Sequence, residues 1–491
     1  MTNAKKNQFE TLIDQMMIDE VSGIDKDIKI TLEGLSTSKK RMAILSILDG
    51  DRDLFIKVKN MMKDESIGKY HYSKEIVKML REYVKVGEVE KKAFGEVMTP
   101  ISLVQDMLDT LPKEVWSNPK LKFLDPCNGC GIFSSVIVNR LMYGLKEFEP
   151  DEELRYKHIV ENQLYVGELQ AKNMFLFLCA FDPNDEYSLN IYNGSFLDEK
   201  FDEHTREIWG IEKFDVIVMN PPYQELKEGN KKSQPLWDKF VKKSIESCLV
   251  EAGYFVGVHP SNWRDFDGGF KTIQTLLRSK KILSLNLHNR EDGVKMFGVQ
   301  TTFDFYCIKN SPSNNTITTI KCQDGIIEKL DISNMEFIPN GMFNEIQKLI
   351  AKEGEEKVEV LYSRSAYGSD KKHMSKEKTE DFKYPCVYTI LKDGTVNLFW
   401  SLSKNGHFNT PKVIWSNGIS KPIIDKTGEY GLTQFAYAIV DEPINFENIQ
   451  KSMLNEKFIK LMSFCDGTMG HRYKRKVIST FRKDFWKEFL D

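Results

Sequence analysis

The sequence predicts an α/β protein whose central part is a doubly wound, mainly parallel sheet. Short apolar runs alternate with helical patterns between residues 122 and 310. A glycine-rich turn follows the first of these runs, as is typical after the first strand of such sheets. The last two runs, ILSLNLHNR and TTFDFYCIKN, are separated only by the predicted loop EDGVKMFGVQ. We therefore expect them to form an antiparallel hairpin at one edge of the sheet.

The length of 491 residues is too great for a single core, and changes in residue pattern along the chain predict three parts. Residues 1–90 carry apolar side chains at helical spacing and predict a helical N-terminal region. Packing is the favoured role of that region, with partner binding and DNA contact as alternatives. Residues 91–311 hold the sheet. After them the polar stretch SPSNNTITT introduces a mixed α+β domain at residues 312–491.

Composition narrows the classes of protein to consider. A formal net charge of −3 gives no bulk attraction to nucleic acid, so any such binding needs a local basic surface. The N-terminus has no apolar signal segment and no run approaches about 18 apolar residues, which predicts a soluble, cytoplasmic protein with no membrane contact. The eight cysteines are scattered through apolar segments, which predicts buried free thiols.

The stretch FDVIVMNPPY joins a buried strand to a stiff turn. The apolar run Val216–Met219 stops at Asn220, and neither Pro221 nor Pro222 has an N–H with which to continue a ladder. Pro222 also holds the residue before it in an extended conformation. The turn therefore presents one amide side chain, free carbonyls and the ring of Tyr223. That set suits a planar molecule with an –NH2 group, whereas the alternative is an ordinary proline turn after a strand.

A second turn follows the strand that ends at Asp125 and Pro126. Gly129 and Gly131 allow the backbone to turn tightly before the next helix, an arrangement typical of nucleotide binding. The third glycine of the dinucleotide fingerprint is missing, which disfavours NAD and FAD.

The Cys127-Asn-Gly-Cys130 spacing also permits a redox or metal-binding pair. No second cysteine pair or histidine cluster lies nearby in the sequence, so packing is favoured and no metal site is predicted.

Two further positions flank these turns. Glu168 ends the second strand, where an acidic residue binds ribose hydroxyls in this architecture, and a solvated strand-end glutamate is the alternative. Thr99 and Pro100 predict the N-cap and first position of a helix that runs to about Leu111.

The C-terminal stretch GTMGHRYKRKVISTFRKDFWKEFL concentrates positive charge among aromatic residues. A surface for phosphates and bases and a solvated helix face are equally good interpretations. The basic residues concerned are Arg472, Lys474, Arg475, Lys476, Arg482 and Lys483, and the aromatic ones are Tyr473, Phe481 and Trp486.

Taken together, these motifs resemble the adenine-specific (N6) DNA methyltransferases of type II restriction–modification systems. Within that family, the sequence resembles the enzymes with the gamma order, in which the cofactor motifs precede the catalytic motif and a target-recognition domain comes last. Residues 220–223 match the catalytic motif in full, and the resemblance covers roughly residues 92–310. The residues that match cofactor motifs are Phe94, Thr99, Pro100, Asp125, Pro126, Gly129, Gly131 and Glu168. Ser195 stands where the family usually has an aspartate near the cofactor's adenine, so Ser195 or Asn193 would be a weaker substitute.

The resemblance implies a Rossmann-like, seven-stranded methyltransferase sheet, S-adenosyl-L-methionine as the methyl donor and double-stranded DNA as the partner. It also leaves room for a cognate restriction or specificity subunit, and it implies a prokaryotic or phage-encoded protein. Asn220 and the Pro221 carbonyl would orient the N6 amine of a flipped adenine, with Tyr223 stacked on one face of the base. Phe297 matches an aromatic residue that flanks the base on its other face.

Two other functions remain open at this point. The same tetrapeptide occurs in methyltransferases that act on RNA bases or on protein glutamine amides, although those enzymes typically lack a C-terminal domain of this size. A non-catalytic DNA-binding subunit is the second alternative. We predict no DNA cleavage by this chain, because the first 90 residues contain no convincing Asp…Glu-x-Lys cluster.

Overall fold

A computed structural model describes residues 99–490, apart from residues 183–185, 226–233, 266–268, 405, 417, 419–420 and 466–472. The predicted helical N-terminal region, Phe94 and Arg472 lie outside the described residues. The chain forms two compact units. The first comprises the described residues up to Trp263 with 269–321 and 329–334, and the second comprises 264–268, 322–328 and 335–491. The three-part division with boundaries near residues 91 and 312 stays a prediction.

A nine-stranded sheet organises the first unit. The strands of this part of the chain are β1 (Phe123–Asp125), β2 (Leu164–Glu168), β3 (Asn190–Asn193), β4 (Phe214–Met219), β5 (Gln224–Glu225), β6 (Gln234–Pro235), β7 (Leu249–Pro260), β8 (Lys280–His288), β9 (Phe303–Pro312), β10 (Thr318–Lys321) and β11 (Ile327–Leu330). Nine of them form the sheet in the order β11-β10-β8-β9-β7-β4-β1-β2-β3. β5 and β6 pair separately as a short antiparallel hairpin.

The strand directions confirm the doubly wound, mainly parallel sheet. β1 lies between β2 and β4 and runs parallel to both, and β4 is in turn parallel to β7. β9 runs antiparallel to both β7 and β8, which confirms the antiparallel pair. This pair is not outermost, because β10 adds to β8 in parallel and β11 lies beyond it. The seven expected strands are therefore joined by two more, which cover an otherwise unpaired strand edge.

Helices pack against this sheet. They are α1 (Ile101–Leu108), α2 (Ile132–Gly144), α3 (Glu152–His158), α4 (Ala171–Phe181), α5 (Glu199–Glu207), α6 (Trp237–Lys243), α7 (Lys271–Arg278) and α8 (Arg290–Phe297), with 3₁₀ turns at Lys113–Ser117 and Ser261–Arg264 and π-helical turns at Ile159–Gln163 and Ser244–Cys248. Buried side chains of α1, α2 and α4 form one core with Val216 and Val218 of β4 and Val256 and Val258 of β7. The period of two along each strand puts these valines on the same face of the sheet.

The start and end of α1 differ from the prediction. The helix begins at Ile101, and Pro100 takes the cap position with φ −59° and ψ 138°. The Thr99 side chain therefore does not cap the helix, because its hydroxyl bonds elsewhere, to Asn220. The helix ends at Leu108, three residues before the predicted end at Leu111.

The predicted loop EDGVKMFGVQ is wrong, since most of it forms α8. Asn289 accepts a hydrogen bond from the Asp292 backbone, and the Asp292 side chain accepts one from the Asn289 backbone, which is a capping box. Gly298, with φ 70°, ends the helix in the left-handed conformation. In the sequence, Asn289 with Asp292 is a helix start signal and Gly298 is a helix stop signal.

The second unit is a mixed α+β body, as predicted. Its strands are β12 (Glu359–Leu361), β13 (Met374–Ser375), β14 (Tyr384–Ile390), β15 (Val396–Ser401), β16 (Lys412–Ser416), β17 (Ile423–Asp425), β18 (Gly431–Leu432) and β19 (Ala436–Val440). They form two four-stranded sheets, β12-β19-β16-β17 and β13-β15-β14-β18. Its helices are α9 (Phe343–Leu349), α10 (Arg364–Tyr367), α11 (Phe446–Leu454), α12 (Glu456–Phe464) and α13 (Arg475–Ile478), with 3₁₀ turns at Pro443–Asn445 and Phe485–Phe489.

A buried ion pair lies inside this second unit. The Lys412 ammonium contacts Asp425 at 2.8 Å and also donates to the backbone carbonyls of His407 and Thr410. Burial lowers the pKa of Lys412, and the Asp425 carboxylate opposes that shift. Three oxygen partners hold the ammonium here, as a buried charge requires.

No disulfide joins the cysteines that the structure describes, in agreement with the prediction of free thiols. Within the described ranges, no helix is long and apolar enough to span a bilayer.

Candidate active site

The carboxyl ends of four parallel strands meet at one edge of the large sheet. β1 ends at Asp125, β2 at Glu168, β3 at Asn193 and β4 at Met219, directly before Asn220. Neighbouring strands are in parallel register, with Leu124 opposite Ile217 on β4. Parallel strands direct their carboxyl ends to the same side, where ligands bind in open α/β sheets. The residues at these four strand ends, which are far apart in the sequence, are thus brought close together.

A cavity of about 470 Å³ lies at this edge. The predicted site residues in its wall are Thr99, Pro126, Gly129, Glu168, Ser195, Asn220, Pro221, Pro222 and Tyr223. Pro100, Asp125, Gly131 and Phe297 do not line the cavity. The lining residues that sequence reasoning missed include Gln170, Asn173, Phe196, Leu197, Lys239 and Phe240. The signal for Gln170 and Phe196 was their position two or three residues past a strand end, whereas α6 offered no signal for Lys239 and Phe240.

The two glycines of the first turn have different roles. Gly129 has φ +54°, and no atom lies within 4 Å of the position that a Cβ would occupy. Gly131 has φ +95°, and a Cβ there would lie 2.9 Å from the rings of Phe177 and Phe181. Gly129 therefore leaves the turn open toward the cavity, whereas Gly131 lets the turn pack closely on α4.

Asp125 and Glu168 each accept a hydrogen bond from the backbone of this turn. Glu168 accepts hydrogen bonds at 2.8 Å from the backbone N–H of Gly129 and of Gln170. Asp125 is fully buried and accepts from the Cys127 N–H through Oδ1, while its Oδ2 has no hydrogen-bond partner among the described residues. Burial raises the pKa of Asp125 to about 8, and the nearby charge of Glu168 adds to the shift. Asp125 thus shapes the turn from beneath, and Glu168 faces the cavity.

The two cysteines of the same turn are not joined by a disulfide. Burial raises the pKa of Cys127 well above its usual range, with the charge of Asp125 adding to it, so the thiolate is disfavoured. Cys130 is a buried free thiol. Among the residues that the structure describes, no group of three or more His, Cys, Asp or Glu side chains is placed to hold a metal ion. The raised pKa of Cys127 disfavours a reactive thiolate there, and both cysteines line the cavity beside Gly129.

Asn220 is held by one side-chain hydrogen bond. Its Nδ2 donates to the Thr99 hydroxyl at 2.9 Å. Its Oδ1 is buried and has no hydrogen-bond partner among the described residues. A buried acceptor without a donor is costly, so this oxygen is poised for an N–H group from outside the chain.

Tyr223 is also positioned by its neighbours. The Tyr223 carbonyl accepts from the Leu236 N–H at 3.1 Å, which closes the β5–β6 hairpin behind the tetrapeptide. Burial raises the pKa of the phenol well above its ordinary value. The Phe297 ring, in the last turn of α8, meets Tyr223 edge to face with centroids 6.4 Å apart. The structure thus brings Phe297 to Tyr223, although Phe297 lies in the core and not in the cavity wall.

Of the two weaker substitutes for the family aspartate, only Ser195 reaches the cavity. Its hydroxyl accepts from the Leu197 N–H at 3.3 Å. Asn193 instead donates to the carbonyls of Glu168 and Leu169 at 2.9 and 3.2 Å, and so fastens β3 to the end of β2.

The basic C-terminal run of the second unit is largely engaged inside that unit. The Lys474 ammonium pairs with Asp265, and the Arg475 guanidinium lies 4.2 Å from the ring centre of Tyr362. Tyr473 and Phe481 are buried. The interpretation that these two rings stack on nucleic-acid bases is therefore wrong, because they complete the core of the second unit.

Known proteins match a part of the chain that contributes many of the cavity residues. Residues 146–293 match the family described as Eco57I restriction-modification methylase. A Mycoplasma pneumoniae protein described as an uncharacterized adenine-specific methylase is 27% identical over an alignment of 238 residues, which covers 34% of this chain and 55% of the relative. The chain resembles the adenine-specific methylases of restriction–modification systems. The segment that matches the methylase family contains Glu168, Ser195 and the tetrapeptide at 220–223.

One solved structure supports the fold of this chain, and a second is more distant. The Type IIL restriction-modification enzyme MmeI, determined in complex with DNA, has a TM-score of 0.51 at 12% identity, covering 82% of this chain and 70% of its own. The type IIG restriction endonuclease BpuSI has a TM-score of 0.44 at 10% identity, covering 99% and 69%. At such identities the likeness to MmeI concerns the fold alone. The chain spans about half the length of the curated methylase that it matches.

Proposed function

We propose that the chain is a site-specific DNA adenine methyltransferase, which transfers a methyl group from S-adenosylmethionine to the N6 amine of a flipped adenine. The observation that carries the proposal is the Asn220 Oδ1 atom. It is a buried acceptor without a partner among the described residues, it follows a parallel strand, and it borders a cavity shared with Glu168 and the glycine turn. An exocyclic amine supplies the N–H donor that this atom lacks.

S-adenosylmethionine suits the rest of the cavity. The volume of about 470 Å³ falls within the range of roughly 300–1,000 Å³ that is typical of small-molecule sites. Gly129 leaves its turn open for close approach of a ligand. The Glu168 carboxylate can accept ribose hydroxyls besides its two backbone N–H groups, because each oxygen has two lone pairs. When bound, this donor supplies a sulfonium-activated methyl group for direct displacement.

The chain's own residues would prepare the amine. The N6 lone pair of adenine is delocalised into the ring, which makes the amine a poor nucleophile. Acceptance of its two N–H groups by Asn220 Oδ1 and the Pro221 carbonyl favours a tetrahedral nitrogen whose lone pair points at the methyl group. This is positioning with preorganised dipoles, and it needs no covalent intermediate.

A base inside a duplex must leave the stack to reach Asn220. Tyr223, fixed through Leu236, would stack on the extruded base, and Phe297 would support it from the other side. The rings now meet at 85°, so a base held between them requires one ring to turn. In this proposal residues 91–311 are the catalytic domain and residues 312–491 recognise the target. A restriction or specificity subunit is a further partner, and the reaction takes place in the cytoplasm of a prokaryotic or phage-infected cell.

The test is transfer of labelled methyl from S-adenosylmethionine to unmodified double-stranded DNA, with digestion to nucleosides. We expect label in N6-methyladenine, and we expect Asn220→Ala to reduce the single-turnover rate by about 10²–10³-fold, the range for loss of one preorganised polar contact. The matched control is Asn139→Ala, an asparagine of α2 that does not line the cavity.

Label in RNA or in protein glutamine, with none in DNA, would replace the proposal by the corresponding alternative substrate. Binding of DNA without transfer to any substrate would instead indicate a non-catalytic subunit. Magnesium-dependent cleavage of unmethylated DNA would contradict the prediction that this chain does not cut.

A further inference from the structure

We propose that Thr99 is a positioning residue whose hydroxyl holds the Asn220 amide in place, with Oδ1 left for the substrate. The inference rests on the proposed function, because it explains how one of the two groups that bind the target amine is held. The Thr99 hydroxyl accepts from Asn220 Nδ2 at 2.9 Å across 121 residues of sequence. Both residues lie in the cavity wall, and the Thr99 side chain is buried.

The amide of Asn220 has two possible orientations about its terminal bond, and only one of them suits an amine substrate. With Nδ2 toward Thr99, the Oδ1 atom is left as an acceptor for the incoming N–H. In the reverse orientation an –NH2 of the protein would face the –NH2 of the base, and donors would meet donors. No other hydrogen bond from the described residues holds this amide, so the bond to Thr99 fixes its place, and acceptance from Nδ2 leaves Oδ1 for the substrate.

Thr99 is well suited to this role because the chain that directly follows it is fixed. Pro100 restricts the preceding residue to extended conformations. Directly after it, α1 is anchored in the core by Leu103, Val104 and Met107. The hydroxyl makes no capping bond to α1, so its acceptor capacity remains for Asn220. Thr99 therefore holds the amide from a position two residues before a helix that is packed in the core.

The test compares Thr99→Val, which removes the hydroxyl at nearly constant volume, with Thr99→Ser, which keeps it. Single-turnover methylation is measured at saturating S-adenosylmethionine and DNA, and cofactor binding is measured by calorimetry. We expect Thr99→Val to slow methyl transfer by about 10- to 100-fold, the scale of a misplaced reacting group. We expect Thr99→Ser to restore the rate to within about threefold, and the cofactor Kd to change less than about threefold in both variants. The control is Thr110→Val, which removes a hydroxyl just after α1 and outside the cavity.

A double-mutant cycle separates positioning from general disturbance. If Thr99 acts through Asn220, Thr99→Val combined with Asn220→Ala will be no slower than Asn220→Ala alone. Multiplied losses in the double variant would overturn the inference, as would an unchanged rate in Thr99→Val. A rate loss explained wholly by weaker cofactor binding would overturn it too. Absence of DNA methylation by the unaltered protein would defeat the proposed function instead, and so the two failures are distinct.

Discussion

The two units of this chain use polar residues in opposite ways. In the first unit, Glu168, Ser195 and Asn220 stand at strand ends and share one cavity wall. In the second unit, charged residues such as Lys412 and Lys474 are engaged in ion pairs within the unit. A polar motif in the sequence is therefore informative about function when the topology of its strand places it at a shared edge.

Strand direction supplies the reason. Parallel strands all end at the same edge, so residues that follow β1, β2, β3 and β4 converge on one place. The sheet of β12, β19, β16 and β17 is antiparallel throughout, so the ends of neighbouring strands alternate between opposite edges. A basic and aromatic composition without such convergence did not distinguish a binding surface from a packed core, as Tyr473 and Phe481 demonstrate.

The buried ion pair offers the strongest test of this contrast. Asp425→Asn keeps the shape of the side chain but leaves the Lys412 ammonium buried without a counter-charge. We expect the free energy of unfolding to fall by about 3–5 kcal/mol, measured by urea denaturation. The affinity for S-adenosylmethionine should stay within about twofold under native conditions, since the cavity lies in the other unit.

The matched control for that variant is Glu356→Gln, which alters the exposed pair of Glu356 with Lys483. Exposed pairs contribute about 0–1 kcal/mol, so we expect almost no change in stability. Equal losses in the two variants would refute the view that charges inside the second unit maintain its fold.

A second test uses the buried histidines. His259 in the first unit is fully buried, stacks on Trp237 with ring centroids 4.0 Å apart and bonds the Tyr306 hydroxyl through Nε2. Burial lowers its pKa to about 3, despite a backbone hydrogen bond to Pro260. The unfolded chain takes up the proton below about pH 6.5 whereas the native chain does not, so this contribution to stability is lost as the pH falls from 6.5 toward 3.

We expect the stability advantage of the unaltered protein over His259→Gln to shrink by about 3 kcal/mol between pH 7 and pH 4. Comparison with a variant is needed because Asp125, whose pKa is raised to about 8, acts with the opposite sign over this range. His407 of the second unit, whose pKa burial and the Lys412 charge lower to about 4, should behave like His259. A constant difference across the pH range would show that His259 is not held neutral by burial.

The smallest expected effect concerns the basic run. Because Lys474 pairs with Asp265 and both side chains are mostly buried, Lys474→Met should lower the free energy of unfolding by about 1–2 kcal/mol. The salt dependence of DNA binding should be unchanged, whereas loss of a phosphate contact would reduce its slope by about 0.9. Lys460→Met, at an exposed lysine of α12, is the stability control and should change little. A reduced salt dependence of DNA binding without loss of stability would instead indicate that Lys474 contacts DNA phosphate.

Much of the first unit could be predicted because its signals are local. Buried strands of three to six residues, breakers after them and helical periodicity between them identified β1 to β4. The helix α8 was missed, although a capping box and a terminal glycine mark its two ends in the sequence. The added strands β10 and β11 carry no comparable local signal, because a strand at the side of a sheet forms by pairing with the strand next to it.

By itself, the sequence determined which residues end the parallel strands, and therefore that Glu168, Ser195 and Asn220 would share one edge. The local sequence determines where each strand ends, and parallel pairing places these ends on the same side of the sheet. Only the tertiary structure decided that the Thr99 hydroxyl bonds Asn220, that Phe297 contacts Tyr223, and that Asp265 pairs with Lys474. Each of these contacts joins residues far apart in the chain, and its geometry depends on how whole elements pack, which no local pattern contains.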